Sequence, residues 1–283
     1  MVRAPIVWLA IVLMGGNGPA TDPKTPAPKV LSASAHPSPN DSSSYDSDAE
    51  RELLDLTNLV RSQAGLTLLK PDEGLTQAAR LHAAGMAVQR QLSHQLSGEP
   101  ALQQRLASTS TLHLDQAGEN VAYAGSVEQA QESLMHSPPH RENLLNPGFN
   151  VAGFGVVRVG GLLYVAQDFG HSLPAYSPHQ AGGAVSGSIA HMRQNANLPQ
   201  LQWMDSDATQ ESACAMAKKD SLNTPVPHAR YVVRYTTEQP ESLPSAAIKA
   251  VDDRSVRTFS VGTCYARTSS YPNGVYWVTL ALQ

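Results

Sequence analysis

Four short runs of this chain carry residue types that can do chemistry. Ser93-His94 offers an imidazole, Gly118-Glu119-Asn120 sets a carboxylate beside an amide, residues 137–149 read SPPHRENLLNPGF, and residues 165–170 read VAQDFG. A carboxylate with two imidazoles can move protons or hold a divalent cation. Several signatures of catalysis are missing. His140-Arg-Glu-Asn-Leu is not HExxH, and His136 and His140 flank Pro138 and Pro139, so they do not face each other across a helical turn as zinc ligands would. The chain holds no G-x-S-x-G elbow, no Walker loop and no dinucleotide fingerprint.

The elements around these runs follow from periodicity. Ser47 and Glu50 read as a capping box opening a helix with Leu53, Leu56 and Val60 on one face and Gly65 at its left-handed end. A second helix runs from near Asp72 to about Gln91, with Leu75, Ala78, Ala79, His82 and Met86 on one stripe; His82 there reads as a core histidine rather than a ligand. A loop with His94 and a polar stretch to Gly118 lead into a strand at 119–124. A third helix starts at Ser126, buries Val127, Ala130 and Leu134, and stops at Pro138-Pro139. Residues 151–159 and 162–169 flank Gly160-Gly161, a two-residue hairpin signal. Gln167 and Asp168 end that hairpin, where hydrogen bonds holding a loop are their expected role, and Arg141 and Glu142 read as a solvated pair.

Composition limits the classes of function. The 283 residues include 20 Lys and Arg against 24 Asp and Glu, so no basic surplus exists to neutralise phosphates and a nucleic-acid partner is not expected. Hydrophobic residues make up 41% and support real cores. After Met1-Val2-Arg3, the apolar stretch Ala4 to Gly15 is too short for a transmembrane span, which needs about 20 residues. With Gly18-Pro19-Ala20 behind it, the stretch reads as an export signal over residues 1–20. Residues 21–46, rich in Pro, Ser and Asp, read as a disordered tether. A first domain is expected over 47–173, a Pro/Gly/Ser-rich linker over 174–187 and a second domain over 188–283. The second echoes the first: Val60 to Leu66 resembles Met192 to Leu198, Met86-Ala87 matches Met216-Ala217, Phe149 matches Phe259, and the strand at 162–169 matches 275–282. These matches point to a tandem repeat.

The order of SH, GEN, SPPHR and QDFG between Asp48 and Gly170 resembles the CAP superfamily, also called SCP/PR-1-like, in its bacterial secreted branch. The resemblance implies an α+β fold, an α–β–α sandwich, followed here by a second, degenerate CAP-like domain. It further implies a cavity of two His and two acidic residues that in some members binds a divalent metal such as zinc. Carried over by motif, the cavity residues are His94, Glu119 and His140; the fourth position falls on Ser137, with Glu132 nearby on another helical phase. In the second half the offsets put Thr224 at His94, about Arg230 at Glu119, Ala250 at His140 and Leu280 at Gln167, so no ligand survives. Cys214 and Cys264 are the only cysteines, and in an oxidising compartment a disulfide between them is expected, with two buried free thiols as the alternative. By the offsets they fall on Ala84 and Phe154. The implied function is an exported binding module, secreted or in a bacterial cell envelope, for an extracellular protein, a peptide or a small apolar ligand. The alternative is a metal-dependent hydrolase with Glu119 as general base.

Overall fold

The computed structural model describes residues 45–224 and 229–283. The expected export signal and all but the last two residues of the expected tether lie outside the described residues.

Helix α1 (Ser47–Gln63) is capped by Asp46, whose carboxylate accepts from the Ala49 N–H at 3.1 Å, and not by a Ser47–Glu50 box. Glu50 is turned inward instead, pairing with Arg80 at 2.6 Å and accepting from the Val156 N–H at 3.2 Å. Tyr45 bridges Val157, so residues 45 and 46 belong to the domain rather than to the tether. Strand β1 (Lys70–Pro71) leads to α2 (Glu73–Gln89), capped by Asp72. Leu75, Ala78, Ala79, His82 and Met86 are all buried on it, as the stripe predicts. Residues 102–109, read from the sequence as part of a polar stretch, form α3 (Leu102–Thr109), and β2 (His113–Ala124) begins six residues before the expected strand. Helix α4 (Val127–His136) is capped by Ser126. It ends at His136, just before Pro138-Pro139 as expected, and Pro138 then opens a further helix, α5 (Pro138–Leu144), because a proline in the first turn of a helix loses no hydrogen bond. Strands β3 (Val151–Val159) and β4 (Leu162–Leu173) close the unit as a hairpin.

The strands form one sheet in the order β1-β3-β4-β2. Alternation along each strand sorts the side chains onto two faces. Phe154, Val156, Val165 and Phe169 pack on one face with Leu53 of α1, Leu134 of α4 and Leu144 beside them. Val121, Val157 and Ala166 face α2 on the other. This is the α–β–α sandwich. Glycine sets the spacing of α2: a Cβ at Gly153 would fall 2.0 Å from the Thr76 nitrogen, and one at Gly155 would fall 2.2 Å from the Arg80 nitrogen.

The second domain repeats this order. Helix α6 (Pro178–Asn195) precedes β5 (Gln202–Trp203), α7 (Asp207–Lys219), β6 (Tyr231–Thr237), α8 (Ser245–Val251), β7 (Thr258–Ala266) and β8 (Val275–Leu282). Its sheet runs β5-β7-β8-β6. Most of the segment expected as a linker is therefore the start of α6: Ser177 and Gln180 form a capping box, and Pro178 sits where a helix accepts it. Arg61 and Arg193 show the correspondence in detail. Each is fully buried. Arg61 donates to the carbonyls of Thr67, Leu144, Asn146 and Phe149, and Arg193 to those of Pro199, Val251 and Asp253. Both helices are followed by a left-handed residue, Gly65 at φ 70° and Asn197 at φ 51°.

The disulfide joins Cys214 on α7 to Cys264 on β7, with Cα atoms 5.0 Å apart. Its place in the repeat differs from the offsets. Gly262 meets the backbone of Thr209 and Gln210 as Gly155 meets that of Ala79 and Arg80, so Cys264, two residues on, stands at the position of Val157 rather than Phe154. Where the first domain packs Val157 in one apolar cluster with Ala84 of α2, the second domain has a covalent bond between helix and strand.

Candidate functional site

Strand β2 is the free edge of the first sheet, and residues from both helical layers reach around it. Glu119 and Val121 lie on the α2 face of β2, whereas Asn120 points to the α5 side, where its amide donates to the His140 carbonyl at 3.1 Å and to Gln167 Oε1 at 3.2 Å. Asn143 of α5 donates to the Glu119 carbonyl at 3.1 Å and to Asn120 Oδ1 at 3.0 Å. The GEN tripeptide thus locks α5 to the edge strand, and α5 in turn carries His140. Gln167 holds no loop: its Oε1 accepts from Asn120 on the neighbouring strand, and its Nε2 is buried without a partner among the described residues.

His94, from the loop after α2, reaches the same edge. Its Nδ1 lies 3.0 Å from Glu119 Oε1, and its ring centroid is 6.1 Å from that of His140. The His94 side chain is 56% exposed while that of Glu119 is 3% exposed, so the imidazole forms the mouth and the carboxylate the floor. Burial, with a smaller electrostatic contribution from the neighbouring His94, holds the His140 pKa below the ordinary histidine value. His140 is therefore neutral at neutral pH. The structure brings the three motif residues together.

The floor contains groups the motifs did not indicate. Arg105 of α3 pairs with Glu119 Oε2 and, at 2.8 Å, with Glu99 Oε2. His82 lies fully buried among them, with Nδ1 2.8 Å from Glu99 Oε1 and Nε2 2.9 Å from the Ser93 carbonyl. It is a satisfied core histidine, as its stripe suggested, but its partners belong to the site. Although burial opposes it, the hydrogen bond from His82 and the charge of Arg105 hold the Glu99 pKa below its usual value. Asp168 departs from expectation. It is directly opposite Glu119 in the β2–β4 register and fully buried, and neither carboxyl oxygen has a partner among the described residues. It holds no loop. Burial first, and then repulsion from Glu119, raise its pKa well above the ordinary value, so it is held as the neutral acid.

The donor set leaves Glu119 no open oxygen for a metal. Both oxygens of Glu119 are engaged, one by His94 and one by the Arg105 guanidinium, and a fixed cation on a carboxylate opposes a second cation there. Among the described residues no three His, Cys, Asp or Glu side chains are grouped to hold a metal. His94, Glu119 and His140 therefore do not fit a three-ligand site as they stand. Ser137 is the N-cap residue of α5, and Glu132 is exposed on α4 beside His136.

The corresponding place in the second domain has lost the charges. Counted back from the left-handed caps Arg90 and Asp220, His82 corresponds to Ser212; counted forward, His94 corresponds to Thr224. Strand register pairs Gly155 with Ala166 and Gly262 with Thr279, so Thr279 stands at Ala166, Asp168 becomes Ala281 and Glu119 becomes Val232, not Arg230. By the same register Gln167 corresponds to Leu280, as the offsets gave, while the shared carbonyl contacts of Arg61 and Arg193 place His140 at Ala247 rather than Ala250. The three hydroxyls bond one another: Thr279 donates to Ser212 at 3.1 Å, and Ser212 and Thr224 are 3.2 Å apart. A neutral hydroxyl trio thus stands where the first domain has His82, His94 and Ala166, and Glu119 and Asp168 have no acidic counterpart.

Residues 54–169 match the model of the CAP family, the cysteine-rich secretory protein family. The chain is 31% identical to YkwD of Bacillus subtilis (strain 168) over 145 residues, which cover 50% of this chain and 54% of that protein. It is 35% identical over 125 residues to the membrane protein YlbC of the same organism, covering 43% of this chain and 34% of that one. The chain thus spans about half of one relative's length and a third of the other's. A solved structure of an extracellular protein with an SCP domain from Bacillus anthracis str. Ames aligns with a TM-score of 0.41 and 29% identity, covering 45% of this chain and 41% of that one.

Proposed function

The segment 54–169 belongs to the CAP family, bacterial branch, and from that premise we propose that this domain is an exported binding module whose recognition surface is the His94–His140 mouth. The observation that carries this reading is the engagement of both Glu119 oxygens, by His94 at 3.0 Å and by Arg105. A general base needs a carboxylate oxygen turned toward a water or substrate, and hydrolysis through Glu119 would first require Arg105 to leave. Glu119 instead serves as the counter-ion that orients His94. The groups offered to a ligand are then two imidazoles, one half-exposed and one neutral, at an open sheet edge. Such a mouth suits hydrogen bonds from a peptide or an extracellular protein surface better than a small apolar molecule. Secretion or retention in the cell envelope is supported by the apolar N-terminal stretch and by the Cys214–Cys264 bond, which an oxidising compartment favours. No helix among the described residues is long and apolar enough to cross a membrane.

The second domain reads as a diverged copy of the first, with the same strand order and the paired Arg61 and Arg193 anchors. The test of the binding reading is a peptide array probed with the wild-type chain and with the His94→Ala/His140→Ala double variant. Spots bound by the wild type and lost in the variant support it. Identical patterns would refute the mouth as the recognition surface.

A further inference from the structure

Arg105, which fixes Glu119, stands on a short support. Helix α3 has eight residues, and its N-cap residue Ala101 offers no side-chain bond to the open amides. A helix of that length is not stable by itself. Leu106 is buried against Leu75 and Ala78 of α2, which secures one face. The other support comes from the second domain. Arg267, the residue after β7, donates from Nη1 to the carbonyls of Ala107 at 2.8 Å and Ser110 at 2.6 Å, and from Nη2 to that of Leu112 at 2.7 Å. These carbonyls lie in the last turn of α3 and just beyond it, where a helix leaves acceptors unsatisfied and its dipole favours a cation. The same contact continues through His113, the first residue of β2, whose ring packs edge-on against Tyr265 at 4.9 Å and Tyr276 at 5.7 Å.

We infer that the second domain completes the site of the first: Arg267 is a positioning residue that clamps the end of α3 and so holds Arg105 against Glu119 and Glu99. The degenerate copy has lost its own charged cavity but supplies the support for the intact one. Arg105 lies two positions before Ala107, so a guanidinium on the 107, 110 and 112 carbonyls restrains the turn from which the Arg105 side chain leaves. The inference adds a support for the mouth proposed above and rests on that reading only for its functional meaning; its test needs no ligand.

The test is carried out on the full chain, comparing wild type with Arg267→Ala, Arg267→Lys and Tyr276→Phe. NMR of the arginine side chains reads whether the Arg105 guanidinium is held, because a guanidinium engaged on two carboxylates shows separate, slowly rotating N–H signals. Hydrogen exchange of residues 102–112 reads the order of α3. Expected are merged Arg105 signals and at least tenfold faster exchange in Arg267→Ala, with an intermediate result in Arg267→Lys, whose ammonium cannot reproduce the fork. Tyr276→Phe removes the acceptor for the Tyr176 N–H within the second domain, 2.8 Å away, and should lower stability without moving either signal. Separate Arg105 signals and wild-type exchange in either folded Arg267 variant would overturn the inference. So would equal changes in Tyr276→Phe, which would reduce Arg267 to ordinary adhesion between domains. Peptide-array failure with the Arg105 response intact would refute the binding reading alone.

Discussion

Glu119 and Asp168 stand directly opposite each other on neighbouring antiparallel strands, both buried, yet only Glu119 has charged partners. Two carboxylates so placed cannot both stay ionised cheaply, and the one without a cation keeps its proton. A carboxyl whose pKa is raised on folding favours the fold at pH below its ordinary value of 3.8. That advantage is lost as pH rises from there, because the unfolded chain releases the proton and the folded chain holds it. Asp168→Asn is neutral at every pH and should be more stable than wild type at pH 7, by at least about 1 kcal/mol, with the gap closing toward pH 4. Urea denaturation across that range checks it; a variant less stable at pH 7 would show that Asp168 is ionised and paired.

Arg105 carries the compensating charge for two acidic groups. Arg105→Met leaves Glu99 and Glu119 without their cation, and loss of one partner from a buried pair costs about 3–5 kcal/mol. The loss should shrink as the solution is acidified and the carboxylates take up protons. A small, pH-independent change in unfolding free energy would show that the network contributes little.

The backbone arrangement was legible to different degrees for physical reasons. The α2 stripe, the Ser126 cap and the Gly160-Gly161 turn are set by local periodicity and local backbone demands, and all three stand where the sequence puts them. Helix α3 was not seen because only Leu102 and Leu106 mark its apolar face, too few for a periodic signal; that i, i+4 pair, with Arg105 beside it, was the available clue. Missing α3 meant missing Arg105, and with it the state of Glu119. The motif residues themselves were found, since His94, Glu119 and His140 lie in short runs of fixed spacing. Their partners Glu99, Arg105 and His82 come from three separate segments, and only the fold joins them. Asp168 was misread because nothing local shows that a strand-end carboxylate will be covered on every side.

The Cys214–Cys264 bond closes a segment with a sequence separation of 50. In the chain-entropy model a loop of that size adds roughly 4 kcal/mol. Thiol titration of the denatured, non-reduced protein should find no free thiol, and reduction should lower the urea midpoint of the second domain. Two reactive thiols per chain would contradict the bond.

Zinc offers a graded test of the mouth. With Arg105 on Glu119, Zn²⁺ should meet only the two imidazoles, bind weakly by calorimetry, and lose binding in both His94→Ala and His140→Ala. Binding should fade as pH falls through the imidazole range, about 6.5 for an unperturbed ring. Arg105→Met should strengthen binding by freeing Glu119. Equal affinity in wild type and both histidine variants would place the ion elsewhere.

The most direct measurement exposes the chain, with and without added Zn²⁺, to a complex peptide mixture and reads by mass spectrometry both what is retained and what is cut. Glu119 held by Arg105 and His94 predicts peptides retained by the wild type, retention lost in His94→Ala/His140→Ala, and no new peptide termini under either condition. New termini made by the wild type and absent with Glu119→Gln would show that Glu119 acts as a base and would contradict the binding account.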